Sequence, residues 1–426
     1  MPHQHHVAAP ELEARVLAAV DPDWLTTRLT ELVAVPSITG SSAESEAQHL
    51  MAGWLAGAGL DVDLWPIDMR AIAADPDFPG TEAPRVEAWG LVGVTHGDRT
   101  PGLVLSGHID VVPPGDPAQW PGDPFVPRIV GGALHGRGAC DMKAGLVAAL
   151  GAARALHDAG IRLAAPLAVH SVVGEEDGGL GALATLRRGH SGAACVIPEP
   201  TGGRVVTANA GALGFRLTVM GHAAHGAVRD RGVSALEAFL PVHRALIALE
   251  TERHRDVDPR FADHPRPYAL SIGTVHAGEW SSTVPDRLVA EGRFGVHLGE
   301  APATARHAFE TAVAAACAGD PWLAAHPVRV EWTGGQFASG ALPVGHPLLA
   351  AVQTAVTDVT GVRPLERAAP FGSDLRQYAA AGIPTLHYGP GHFDWAHAPD
   401  ERVTLAEVVD VTRTFALLAV RLCGPA

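Results

Sequence analysis

Cysteine is scarce in this chain. The four present, Cys140, Cys195, Cys317 and Cys423, stand too far apart to make a metal finger or a paired motif. That spacing argues against a disulfide framework and fits a reducing, cytoplasmic setting. Positive charge is short as well. With 31 Lys and Arg against 46 Asp and Glu the formal charge is -15, and no basic run offsets it, so no nucleic-acid partner is expected. No stretch of 18 apolar residues exists to span a bilayer, so no membrane partner is expected either. The opening Met1-Pro-His-Gln-His-His6 lacks a basic start followed by a continuous apolar stretch, and no secretory leader is read there. His3, His5 and His6 are read as part of a frayed terminus rather than a metal site.

Apolar residues are plentiful. They make up 47% of 426 residues, a length beyond what one hydrophobic core normally supports, so two domains are expected. Helical patterns at 22–35 and 43–58 precede a segment, 68–85, whose prolines and aspartates read as a surface loop. From about 86 to 206, short apolar runs alternate with helical patterns. That is the signature of an α/β domain whose mostly parallel sheet carries helices on both faces. The pattern then changes to strand (212–220), helix (233–252), strands (268–276 and 287–297), helix (302–317) and strand (328–332). This order is the split, ferredoxin-like α+β unit, inserted as a module over 208–334. The first domain would then comprise 1–207 and 335–426, resuming with a helix at 348–360.

A set of acids and histidines stands at the ends of the apolar runs. In Leu103-Val-Leu-Ser-Gly-His108-Ile-Asp110 a buried parallel strand is expected to finish where the polar residues begin, the edge at which open α/β sheets gather ligands. Runs ending before Glu175 and Glu176, before Glu199 and before His397 repeat the arrangement. Any one of these residues alone would be read as solvated surface. Taken together, most of the seven, His108, Asp110, Asp141, Glu175, Glu176, Glu199 and His397, read as ligands for two metal ions that activate water. His108 and Asp110, two apart, face the same way in an extended segment, so Asp110 can accept the proton on the ring nitrogen that is not bound to metal. Asp141, in a glycine-rich turn before an alanine-rich helix, could bridge two ions. Adjacent Glu175 and Glu176 would repel each other in one pocket unless one is a ligand and the other a free general base. Asp177 reads as a turn residue and Cys140 as a small packing residue.

Six stretches carry a resemblance: Ser106-Gly-His-Ile-Asp-Val-Val-Pro-Pro114, Gly138-Ala-Cys-Asp-Met-Lys-Ala-Gly145, Gly174-Glu-Glu-Asp177, Pro198-Glu-Pro-Thr201, Gly221-His-Ala-Ala-His225 and Ala396-His-Ala-Pro-Asp-Glu401. In these the chain resembles the aminoacylase and carboxypeptidase type of dinuclear zinc hydrolases, in the branch of acetylornithine deacetylase and succinyl-diaminopimelate desuccinylase. The resemblance implies that Asp141 bridges both ions, that Glu176 and His397 complete one site, and that His108 and Glu199 complete the other. Glu175 would be the base. Two divalent ions offset by Asp141, Glu176, Glu199 and a hydroxide leave the site near neutral, and nitrogen and oxygen donors favour zinc, with cobalt or manganese as alternatives.

The resemblance implies more for the insert. His225 matches a lid histidine that polarises the scissile carbonyl, often across a dimer, and Arg293 matches an arginine that grips the substrate carboxylate. Ser282 stands where many relatives have asparagine ahead of Val284-Pro285. The Gly389-Pro-Gly391 loop would help position the substrate. The resemblance also implies a cis peptide between Asp141 and Met142 and a homodimer formed through the inserted domain. The expected activity is hydrolysis of the amide of an N-acyl amino acid or related small compound. A dipeptidase or carboxypeptidase using the same centre, and a non-catalytic binding protein that kept the fold, are the alternatives.

Overall fold

In a computed structural model, residues 9–97 and 99–426 are described, so the histidines and the leader reading at positions 1–6 lie outside the described residues. Two units divide the chain. One runs to Thr207 and resumes over Ala341–Arg367 and Gln377–Ala426; the other comprises Ala208–Gly340 with Ala368–Arg376.

The first unit is built on a nine-stranded sheet. Its centre is four parallel strands, Leu167–Val172, Leu103–His108, Cys195–Ile197 and Thr385–His387, in that order. Trp89–Val94 and Asp61–Pro66 extend one flank antiparallel, and Val205–Asn209 pairs antiparallel on the other. Every residue of Leu103–His108 and Leu167–Val172 is buried. Covered on both faces, these strands are mostly apolar rather than alternating, which is why they stand out in the sequence, and their Ser106, His170 and Ser171 find buried hydrogen-bond partners. The helices Ala144–Asp158 and Leu405–Cys423 pack against each other beside this sheet. Leu405–Cys423 was not anticipated. It buries Val408, Val411 and Thr412 along one face of its first half and everything from Thr414 to Val420 in its second.

The segment 68–85 is more ordered than a surface loop. Asp68 caps a short helix, Met69–Ala73, by accepting from the amides of Arg70 and Ala71. Arg85 then turns inward, with its guanidinium 3.1 Å from Glu44 and 2.9 Å from Asp177 and its side chain about 1% exposed. The Asp177 carboxylate also accepts from the amides of Glu82 and Ala83. Asp177 is therefore a buried clasp between this segment and the turn that carries Glu175, not a simple turn residue. Burial, with the charge of Asp110, pushes the Glu44 carboxyl up to about 7. Breaking a buried pair by removing one partner costs about 3–5 kcal/mol, because the other charge is left without compensation. Arg85→Met is expected to destabilise the protein by that amount in urea unfolding, and a loss under about 1 kcal/mol would show that the two carboxylates do not depend on it.

The second unit holds a four-stranded antiparallel sheet in the order Leu270–Ala277, Arg287–Val296, Gly211–Met220, Arg329–Phe337. Numbered within the unit this is second, third, first, fourth, the ferredoxin-like arrangement. Gly211–Met220 alternates buried and exposed residues, and its Leu213, Phe215, Leu217 and Val219 join Phe239 and Phe309 of the helices Ala235–Arg253 and Pro302–Ala318 in one core. Residues 335–340 and 368–376 belong to this unit in addition to the 208–334 segment. The amide of Ala210 donates to Ala369 O, and Asn209 Nδ2 donates to Phe371 O. Pairing across so long a sequence gap leaves no local pattern to read.

All four cysteines are free and buried. Among the described residues no helix is long and apolar enough to cross a membrane.

Candidate active site

Three of the four central strands deliver polar groups directly at their carboxyl ends. Leu103–His108 ends in His108. After Leu167–Val172 the chain turns at Gly174, whose φ of 67° is left-handed, and places Glu175 and Glu176. Cys195–Ile197 leads through Pro198 to Glu199, and the chain beyond Thr385–His387 reaches His397, which has a φ of 60°. Asp141 comes from the irregular turn Ala139–Lys143, where the Asp141–Met142 peptide is cis.

The geometry centres on Asp141. His108 Nε2 lies 3.1 Å from Asp141 Oδ1 and 3.7 Å from Glu199 Oε1. His397 Nε2 lies 3.2 Å from Glu176 Oε2 and 3.5 Å from Asp141 Oδ2. One aspartate thus turns one oxygen toward each imidazole. Donor atoms of His108, Asp141 and Glu176 lie within 4.8 Å of one another, as do those of His108, Glu175 and Glu199. Glu176 Oε1 is buried without a hydrogen-bond partner, while the His397 side chain is 54% exposed and opens the cluster on one side.

Electrostatics shows what the cluster lacks. Burial pushes the His108 imidazole down, but the Asp141 hydrogen bond and the charges of Glu199, Asp110 and Glu175 outweigh it and hold the ring well above its ordinary value. At His397 burial is again overcome, by Glu176 and Asp141, and the ring is raised to about 9. Burial and the neighbouring Asp141 raise the Glu176 carboxyl. Crowded carboxylates here draw positive charge onto whatever group can carry it. Imidazole nitrogens and carboxylate oxygens converging in a partly closed, electron-rich pocket are the donor set that divalent transition metals take, so the residues fit such ions.

Asp110 is placed differently from the expectation. His108 Nδ1 lies 2.9 Å from the main-chain oxygen of Asp110 and 3.7 Å from its carboxylate, so the ring proton goes to the carbonyl. The carboxylate instead accepts from the amides of Glu175 and Glu176 and from Thr39 Oγ1. It holds the turn on which the two glutamates stand. Gly389 is packed against Pro198, and Gly391 against the Cys140 sulfur, where no side chain would fit.

Glu401 carried no role in the sequence reading beyond its place in the last motif. Its fully buried carboxylate accepts from the amides of Cys140 and Asp141 at 2.9 and 3.0 Å and from Arg137 Nη1 at 2.6 Å. An acid closing the motif that carries His397 was the available signal.

His225, Ser282 and Arg293 belong to the second unit. His225 is exposed, and its Nδ1 accepts from the Ala227 amide; the Gly226 amide donates to Ser282 O, which sets Ser282 beside the histidine loop. Arg293 is half-buried, donates from Nη2 to Pro370 O, and has a buried Nε without a partner. Burial lowers its pKa, and among the described residues no carboxylate pairs with it.

Residues 104–421 match the profile of Peptidase family M20/M25/M40. The chain belongs to this family. It is 25% identical over 423 residues to the N-formyl-4-amino-5-aminomethyl-2-methylpyrimidine deformylase of Halalkalibacterium halodurans, covering 94% of this chain and 95% of that protein. It is 29% identical over 402 residues to the succinyl-diaminopimelate desuccinylase of Xanthomonas oryzae pv. oryzae, covering 92% and 97%. In fold it is similar to the M20 family metallo-carboxypeptidase Sso-CP2 from Sulfolobus solfataricus, with a TM-score of 0.74 at 14% identity over 93% of this chain and 99% of that one. This M20-family member is a hydrolase of amide bonds that uses divalent metal.

Proposed function

We propose that the protein is a deacylase that cleaves the amide of an N-acyl amino acid or a related small N-acyl compound with two zinc ions. His108 and Glu199 would hold one ion, Glu176 and His397 the other, and Asp141 both. The observation that carries this reading is the orientation of Asp141, one oxygen to each imidazole. Two relatives named as deacylases, each matched over nearly its whole length, favour acyl removal over peptide trimming.

Held by these residues, two divalent ions would supply Lewis-acid polarisation of the amide carbonyl and a water acidified into the neutral range. Glu175 takes the water proton as the carbonyl carbon is attacked and returns it to the departing amine. Asp110, accepting from the Glu175 and Glu176 amides, holds the turn that carries both the base and the ligand. His225 serves as the donor to the developing oxyanion, and Arg293 receives the substrate carboxylate, for which its unpaired Nε is available. Ser282 and the loop from Gly389 to Gly391 complete the substrate contacts. The second unit also supports a homodimer: Leu236, Leu240 and Ile247 are exposed on one helix, and Leu270–Ala277 is an open sheet edge. Free, buried cysteines suit a cytoplasmic enzyme.

The decisive experiment incubates the zinc-loaded protein with formyl, acetyl and succinyl amino acids and with dipeptides. Turnover of acyl amino acids is expected, and turnover of dipeptides alone would make the protein a dipeptidase. Arg293→Met is expected to raise KM for acyl amino acids about tenfold or more, the worth of a charge-assisted hydrogen bond, while amides lacking the carboxylate keep their KM. Equal effects on both substrates would remove Arg293 from carboxylate recognition.

A further inference from the structure

Two segments far apart in the chain meet beside the proposed ligand residues. Glu401 and Arg137 are 264 positions apart and form an ion pair at 2.6 Å with side chains 0% and 2% exposed. The pair does more than neutralise itself. Glu401 Oε1 accepts from the amides of Cys140 and Asp141, which fixes the backbone from which the Asp141 carboxylate projects. Arg137 Nη2 donates to the carbonyl of His397 itself, at 3.2 Å. The Arg137 guanidinium lies 5.0 Å from the centre of the Trp120 ring, so its plane is held from a third side. Neither residue offers an atom to the cluster; the main chain of two ligand residues is what they touch.

We infer that Arg137 and Glu401 are positioning residues that set the affinity of one of the two metal sites, the one completed by Glu176 and His397. This rests on the ligand assignment proposed above. Of that site's three ligands, Asp141 and His397 both hang from the pair, whereas Glu176 hangs from the turn held by Asp110. The other site draws His108 from the end of a fully buried strand and Glu199 from the segment after Cys195–Ile197, and only its Asp141 depends on the pair. His397 needs the help most. Its side chain is half-exposed and its residue lies past the last strand contact before it, the Thr201–His392 bridge, so the Arg137 bond to its carbonyl and the facing Glu176 are what hold it. Partners that orient metal ligands typically change affinity by 10–100-fold when removed.

The test titrates zinc into metal-free wild-type, Glu401→Gln and Arg137→Lys proteins in competition with a chromophoric chelator, with circular dichroism to confirm folding. Wild type binding fewer than two ions would overturn the ligand assignment rather than this inference. With two ions bound by wild type, both variants are expected to weaken one ion by about 10-fold or more and the other by less than about 3-fold. Cobalt loaded at one equivalent should give wild-type visible bands in both variants, and the second equivalent should give altered ones. Arg137→Lys keeps a charge opposite Glu401 and carries the test should Glu401→Gln not fold. Unchanged affinities in the folded variants, or equal weakening of both ions, would overturn the inference.

Discussion

Glu175→Ala is expected to bind its full complement of metal and to lose at least about a hundredfold in turnover, the lower range of what a positioned acid–base group contributes. The residue is a discriminating choice because its carboxylate lies within 4.8 Å of donor atoms of both His108 and Glu199. Proximity alone would equally suit a ligand. The roles separate in the measurement: a general base leaves zinc content unchanged and removes turnover, whereas a ligand takes zinc with it. The neighbouring Glu176 supplies the contrast, since its Oε2 faces His397 at 3.2 Å, and Glu176→Ala should lose an ion. Metal analysis beside steady-state kinetics reads both. Normal turnover in Glu175→Ala would place the base elsewhere, and a missing ion would move Glu175 into the ligand set.

Asp141→Ala should have the larger effect. Its two oxygens lie 3.1 Å from His108 Nε2 and 3.5 Å from His397 Nε2, so one truncation strips a ligand from both proposed sites. What remains is a histidine and one carboxylate at each, too few to close a tetrahedral site. Turnover is expected to fall by more than about a thousandfold, because acidification of water from a pKa of about 15.7 to about 7 disappears along with the orientation of the substrate. Zinc content should drop from two per chain to less than one. Asp141→Ala that kept both ions would show that the cluster is organised around another residue. Glu401 bonds to the Asp141 amide rather than to its side chain, so the backbone of the turn should survive this substitution and stability should change little.

The catalytic framework was legible because its strands are buried on both faces. Leu103–His108 and Leu167–Val172 are largely apolar, their inner Ser106, His170 and Ser171 being held by buried hydrogen bonds, and the acids and histidine at their carboxyl ends mark the sheet edge where a site can form. The second unit was legible for the opposite reason: Gly211–Met220 has one covered face and alternates accordingly. What escaped was long-range and polar. Arg85 with Glu44 and Asp177, and Arg137 with Glu401, are contacts between residues far apart in sequence, and a lone charged residue in a sequence looks the same whether solvated or buried. Asp110 meets the expected ring of His108 through its main-chain oxygen with the carboxylate 3.7 Å away, since a two-residue spacing sets the side of the chain and not which oxygen is nearer.

The strand Thr385–His387 lies between Cys195–Ile197 and Val205–Asn209, in the interior of the sheet rather than at its margin. During translation the ribosome has therefore emitted most of the polypeptide, the whole four-stranded module included, while the larger sheet still has an open slot at its middle. His397 leaves the exit tunnel later still. Up to that point the nascent chain carries four of the five proposed ligands but not the closing imidazole, so the site proposed for Glu176 and His397 can be completed only after this strand has emerged, and any product truncated ahead of it is left with an unfilled seam.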